Sequence, residues 1–157
     1  MAIKTQETEV FIVKPGASPT VVKVGQITDI TGIDAPISAV ESTTLDSDHR
    51  TYTPGIAEPA SASLKILFDP KDATQATLHQ LRNAGTQLHW AVGLSDGGVS
   101  PALALDGDAF DDAALSRSFI YFDGFMTSFD FGAAINGVIE SNVGIQLTDR
   151  PNLVVSA

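Results

Sequence analysis

Cysteine is absent from this 157-residue chain. Its absence removes disulfides and thiolate metal ligation, and a chain of this length buries enough apolar surface to do without either. Basic side chains are scarce: nine Lys and Arg stand against nineteen Asp and Glu, a formal net charge of −10. The scarcity is uneven. Residues 1–82 hold seven basic and ten acidic side chains, whereas residues 83–157 hold only Arg117 and Arg150 against nine acids. A nucleic-acid groove needs clustered Lys and Arg to displace counterions, and the chain has no such cluster. An acidic surface repels DNA or keeps a protein in solution. Runs of about 18 apolar residues are missing too, so no transmembrane helix and no membrane partner are expected. Met1–Glu7 carries no apolar signal core, which predicts a protein made and kept in the cytoplasm. What the chain does have is 43% hydrophobic against 18% charged residues, which places it among globular proteins, as one domain over residues 1–157.

Catalytic and cofactor motifs are equally sparse. No HExxH, GxxxxGK[ST] or GxGxxG occurs. Gly93-Leu94-Ser95-Asp96-Gly97 fits G-x-S-x-G, but that motif exposes its Ser on a strand-to-helix turn, and Gly98-Val99-Ser100-Pro101 is a poor helix start. It reads as a strand ending in an Asp-Gly turn. The acidic run Asp106–Asp112 fails the EF-hand pattern: counted from Asp106, position six is Asp111 and position twelve is Arg117. It reads as a solvated loop. His49, His79 and His89 fall in a loop, a helix and a strand. No nucleophile, base and orienting group assemble, so no enzyme, cofactor or metal site is expected.

The elements that are present are mostly strands. Thr8–Val13 reads as a first strand, ended by Lys14-Pro15-Gly16. Thr20–Ile30 reads as a second, with Gly25 a candidate bulge. Ile33–Val40 is a short strand interrupted by Pro36. Glu41–Pro59 is a long polar stretch, and a loop of that length inside a compact domain is usually functional. Ser61–Phe68 alternates, with Leu64, Ile66 and Phe68 on one face. Asp69-Pro70-Lys71-Asp72 then opens a helix, Asp69 capping it, that ends near Asn83 and Gly85. Its expected inner side is Ala73, Ala76, Thr77, Leu78 and Leu81. Leu88, Trp90, Val92 and Leu94 alternate as a half-buried strand. Residues 95–117 form a second irregular loop. Ser118–Phe131 is the aromatic-rich strand, with a bend or bulge at Gly124. Asn136-Gly137 marks a hairpin turn into Val138–Leu147. The sum is mainly β: a β-sandwich or open barrel of about seven or eight strands with one flanking α-helix.

Ile27-Thr28-Asp29-Ile30, Tyr52-Thr53-Pro54-Gly55-Ile56, Phe68–Asp72 and Phe122–Phe129 stand in an order that resembles the phage tail tube family, in particular the major tail proteins of long, siphophage-type tails. Ile27-Thr28-Asp29-Ile30 ahead of a glycine resembles the family's second strand and turn. Ala39–Asp48 resembles its acidic, Thr-containing polar segment. Tyr52-Thr53-Pro54-Gly55-Ile56 resembles its Tyr-x-Pro-Gly-Leu, and Phe68–Asp72 its strand-to-helix junction. Trp90–Gly97, Phe122-Asp123-Gly124-Phe125-Met126-Thr127-Ser128-Phe129 and Val143–Thr148 resemble its later strands. The resemblance covers roughly residues 8–152. Glu58-Pro59-Ala60 departs from the glycine common in the family, and residues 100–116 are longer than usual; both are loops.

The resemblance implies a structural subunit of the virion tail. Six copies would form a ring, rings would stack into a hollow tube, and sheets of neighbours would join around an inner barrel, which removes exposed edges by closure. Tape-measure, terminator and baseplate or tip proteins would be partners. DNA would pass through the lumen without specific binding. Ser42, Thr43, Thr44, Asp46, Tyr52, Pro54 and Gly55 would belong to a loop, about residues 41–60, reaching the adjacent ring and left disordered in the free subunit. Asp29, Glu41, Asp123, Asp130 and Glu140, on or beside predicted strands, are the candidate lumen acids. The tube of a contractile tail or related injection device, or a head–tail joining or terminator ring, would use the same fold.

Overall fold

Strict alternation of side chains builds the sheet. Ala62, Leu64 and Ile66, then Val143, Ile145 and Leu147, are buried while the residues between them face outward. A computed structural model describes residues 2, 4, 6–97, 105–107, 109–111, 117–133 and 135–155. The elements are β1 (Glu9–Lys14), β2 (Thr20–Val24), β3 (Ile27–Thr31), β4 (Ile37–Glu41), β5 (Tyr52–Ala57), β6 (Ser61–Leu67), α1 (Ala73–Ala84), β7 (Gln87–Gly93), β8 (Leu105–Asp106), β9 (Ala109–Phe110), β10 (Phe119–Gly132), β11 (Glu140–Leu147) and β12 (Asn152–Val154). The main sheet has eight strands, in the order β2-β1-β7-β10-β11-β6-β3, with β12 alongside the start of β10. All its pairs are antiparallel.

The expected second strand is two strands on opposite edges of this sheet. Gly25-Gln26 joins β2 to β3, so the sheet must roll until its edges meet there. Gln26 takes the left-handed conformation at φ 59°, which turns the corner in two residues. The result is an open barrel. Its interior holds Val10, Ile12, Leu64, Ile66, Leu88, Trp90, Phe122, Met126, Val143, Ile145 and Leu147. Trp90 stacks on Phe122 with centroids 6.0 Å apart and donates to the Gly124 carbonyl at 3.2 Å. Gly124 is not a bend: a Cβ there would lie 2.6 Å from the Gln146 carbonyl oxygen, so the position needs glycine for close strand approach. The bulge in β10 falls at Thr127, between Met126 and Ser128.

Helix α1 lies against β10 and β2. Its cap is Asp72 rather than Asp69: the Asp72 carboxylate accepts from the Thr74 amide at 3.0 Å and from the Thr74 hydroxyl at 2.7 Å. Asp69 shapes the preceding turn, accepting from the Lys71 amide. The buried face is Gln75 and Leu78, with Leu81 beside them, while Ala73 and Ala76 are exposed. Gln75 is buried because it bridges the junction, accepting from the Asp69 amide and donating to the Leu67 carbonyl. Pattern alone counts such a glutamine as polar and outward. Gly85 closes the helix at φ 66°.

Two expected loops contain paired strands. β8 and β9 pair within the second expected loop, 95–117. β4 falls in the expected Ile33–Val40 strand, but β5 lies in the stretch 41–60 expected to be irregular, and the two form an antiparallel hairpin that stands apart from the main sheet. Pro54 is tolerated there because a two-stranded ribbon has a free edge on each strand. The NG turn also sits in a longer connection than a two-residue hairpin: β10 ends at Gly132 and β11 begins at Glu140, with Asn136 at φ 61° between them.

Candidate assembly surfaces

The two halves of the sheet's outward face differ. Over β1, β7 and the start of β10, that face is covered by a second apolar cluster of Phe11, Ala91 and Phe119, joined by Val21, Phe110 and Tyr121. Arg117 lies in it, its side chain only 2% exposed. The guanidinium bonds the Glu9 carboxylate, donates to the Glu7 carbonyl at 3.2 Å, and sits 5.8 and 5.4 Å from the Phe11 and Phe119 ring centroids. Glu9 also takes Lys23 at 2.5 Å. Burial raises the Glu9 pKa, but the hydrogen bonds and charges of Lys23 and Arg117 outweigh it, so the group lies below its usual 4.5.

Over β3, β6, β11 and the far half of β10, the outward face is bare and polar. Register places Asp29, Lys65, Asn142 and Asp130 in one row across four strands, with Thr31, Ser63, Gly144 and Ser128 in the next. Gly144 has no room for a side chain, since a Cβ there would meet the Ser128 hydroxyl at 2.6 Å. Glu140 adds a third carboxylate at the start of β11, so three acids face one ammonium. Both borders of this patch are open. β3 ends the sheet, and among the described residues β10 has no partner beyond Phe125 on the side that β7 occupies earlier.

The five predicted acids therefore separate. Asp29, Asp130 and Glu140 share the polar patch. Asp123 is on the same face but in the other half, half-buried, 2.5 Å from His89. Glu41 is off the sheet entirely, at the end of β4, where it accepts from Thr43. Lys65, Asn142 and Ser63 went unremarked in the sequence; their only signal was their place at outward positions of predicted strands.

The β4–β5 hairpin presents its predicted residues together. Ser42, Thr43, Thr44 and Asp46 form its tip, held by Ser42 N–H to the Thr51 carbonyl, Thr51 N–H to the Thr43 hydroxyl, and Thr44 to Asp46. The Thr44 hydroxyl bond holds the Asp46 carboxyl below its usual range. Tyr52, Pro54 and Gly55 lie along β5. Ile37, Val40, Leu45, Tyr52 and Ile56 are all exposed on this ribbon. An uncovered two-stranded ribbon is marginal in water, so these side chains need a partner surface.

Among the described residues, Ser95 and Asp96 of the Gly93–Gly97 motif are held in hydrogen bonds to other parts of the chain. Ser95 Oγ donates to the Lys4 carbonyl, and Asp96 accepts from the Ser118 amide at 2.9 Å and from its hydroxyl, which lowers the Asp96 pKa. Residues 98–104 lie outside the described residues, as do Asp108 and Asp112 of the acidic run. Among the described residues, no three His, Asp or Glu side chains converge as a metal site would require, and no helix is long and apolar enough to cross a membrane.

Known proteins agree with this architecture. Structural protein 3 of Pseudomonas phage PAJU2 is 38% identical over 154 residues, covering 97% of this chain and 93% of that protein. The SPP1 tail tube superposes with a TM-score of 0.69 at 11% identity, over 99% of this chain and 81% of that one. The sheath/tube terminator of the extracellular contractile injection system PVC gives 0.70 at 12% identity, over 99% and 98%. At such identities these two show the fold. Residues 1–156 match the family described as phage tail tube, TTP, lambda-like. The chain belongs to the lambda-like phage tail tube family, and is a structural component of the virion tail.

Proposed function

We propose that six copies of this chain close into a ring through the polar four-stranded patch, and that rings stack into the tube through the β4–β5 hairpin. The observation that carries this reading is the patch itself: a bare polar face with an open border on each side. The four strands alternate in direction, so β3 runs opposite to β10. Rotation about a ring axis keeps strand directions, and a neighbour's β3 laid beside residues 126–132 continues the antiparallel pattern without a break. Six copies would close roughly 24 strands, more than the 16–18 that already leave an aqueous channel. At about 4.8 Å per strand and a tilt near 40°, the barrel would be about 48 Å across its backbone.

The wall of this bore would carry Asp29, Asp130 and Glu140 against Lys65 in every subunit. Such a wall repels phosphates and gives passing DNA no counterion-releasing contacts. Asp123 is tied to His89 and Glu41 belongs to the hairpin, so neither is assigned to the lumen. The hairpin, with Leu45 at its tip and Ile37, Val40, Tyr52 and Ile56 along its sides, would lie on the adjacent ring. Tape-measure, terminator and baseplate or tip proteins would meet the inside and the two ends of the tube. The protein's work is then assembly, with no chemical step.

Electron microscopy of concentrated protein tests this. Hollow tubes with sixfold end views support it. A closed oligomer of another symmetry, with no tubes, overturns it and favours a joining or terminator ring.

A further inference from the structure

The connection between β10 and β11 ends in an apolar tip. Ile135 is 95% exposed there, and Val138, Ile139 and Phe131 are exposed around it. Phe131, on β10, packs against Phe68 and His79, but the three large apolar side chains of the connection itself stand in water and mark a contact surface rather than chance. Near the other end of β10 is a recess of about 300 Å³ lined by Ile30, Ile33, Val92, Leu94 and Ile120, with Lys4 and Thr8 at its margin. It is mostly apolar and large enough for an isoleucine with part of a valine.

Tip and recess cannot meet within one subunit. Ile120 and Gly132 are twelve residues apart on one strand, a span of roughly 35–40 Å at about 3.3 Å per residue. Their charges are complementary as well: Glu140 borders the tip and Lys4 borders the recess. In a chain of net charge −10, a contact between two copies gains from placing one of its few cations opposite an acid.

We infer that the Ile135–Val138 tip of one copy seats in the Ile30/Ile33/Leu94/Ile120 recess of another, making a head-to-tail contact along the tube. This rests on the tube reading and adds to it a specific axial contact distinct from the hairpin. Two different patches are joined, so the contact is heterologous and propagates instead of closing on itself.

The absence of native cysteine makes the test clean. The double variant Ile135→Cys/Ile33→Cys is treated with a short bis-maleimide at high protein concentration, beside each single variant. A ladder of covalent oligomers from the double variant, with no more than dimers from either single one, is the expected result. Ile135→Asp, at a site too exposed to matter for folding, should keep the wild-type melting curve and lose the tubes. Wild-type tubes with no ladder in the double variant overturn the inference and leave the tube reading standing. A ladder from the double variant, where the wild type forms only closed rings, overturns the tube reading and leaves the contact standing. Absence of both tubes and ladder overturns both. Ile135→Asp with a wild-type melting curve and intact tubes overturns the inference and leaves the tube reading standing.

Discussion

Replacing Glu9 by Gln should destabilise the subunit more than replacing Arg117 by Met, although both remove the same ion pair. Arg117 has 2% of its side chain exposed and cannot lose its proton, so Glu9→Gln strands a full buried charge on the Glu7 carbonyl, the new amide oxygen and two ring faces. Glu9 is 12% exposed and keeps Lys23 at 2.5 Å, so Arg117→Met leaves a carboxylate that still has a partner and some water, while a thioether fills the space between Phe11 and Phe119. Breaking a buried pair from one side costs about 3–5 kcal/mol, and we expect about 3 for Glu9→Gln and about 1 for Arg117→Met. For a domain of this size, each kcal/mol shifts Tm by about 2–4 °C, so the drops should be about 6–12 °C and about 2–4 °C. The assay is urea and thermal denaturation of dilute subunit at fixed concentration, since assembly would add stability. The pH dependence has a definite sign. The Glu9 pKa is lowered by folding, so its contribution is present above the usual 4.5 and is lost as pH falls through the lower folded value. The gap between wild type and Glu9→Gln should therefore narrow in acid. An Arg117→Met loss equal to or larger than the Glu9→Gln loss would refute the reasoning.

Gly124→Ala should cost about 2–3 kcal/mol, because its Cβ would meet the Gln146 carbonyl at 2.6 Å between two paired strands; an unchanged urea midpoint would contradict the close approach. Asp72→Ala should cost about 1 kcal/mol through loss of the helix cap and should exceed the effect of Asp69→Ala, measured by thermal melts of the two. Replacing residues 44–49 by a short glycine-containing turn should leave the melting curve near wild type and abolish long tubes, counted by electron microscopy. Asp29→Lys with Asp130→Lys, both exposed, should fold normally and give tubes that retain DNA at low salt and release it as salt rises, read by co-sedimentation; wild-type tubes should not retain it.

Much of this fold is legible in the residues because alternation reports burial directly. Leu64 and Ile66, Leu88 and Trp90, and Val143 and Ile145 face the core where the two-residue period puts them. Long-range placement is what alternation cannot report. Thr20–Ile30 reads as one strand because nothing local shows that Val24 and Ile27 belong to opposite edges; only the Gly25-Gln26 corner hints at it. Of the hairpin at 37–57, β4 falls in the expected Ile33–Val40 strand, while β5 is hidden because it is mostly exposed and shows no burial period to detect. Gln75 misleads for the opposite reason: it is a polar residue buried to satisfy backbone groups at the strand-to-helix junction. The lumen candidates divide along the same line. Asp29, Asp130 and Glu140 come together through pairing between strands distant in sequence, and Asp123 differs because it lies in the other half of the face, across from His89.

The strand order has a consequence for timing. β1 finds β2 and β6 finds β3 early, but β1 must wait for β7, β7 for β10, and β6 for β11, so the second partners of residues 9–14 and 61–67 arrive only when residues 87–147 do. Such non-local pairing makes sheet formation slow and late. The two borders that a neighbour would meet, β3 and residues 126–132, are set side by side in a sheet only by β11 and β6 between them. A nascent chain that has not yet emitted β11 therefore offers growing tubes no four-stranded edge to join, which turns the order of synthesis into a filter against incomplete subunits.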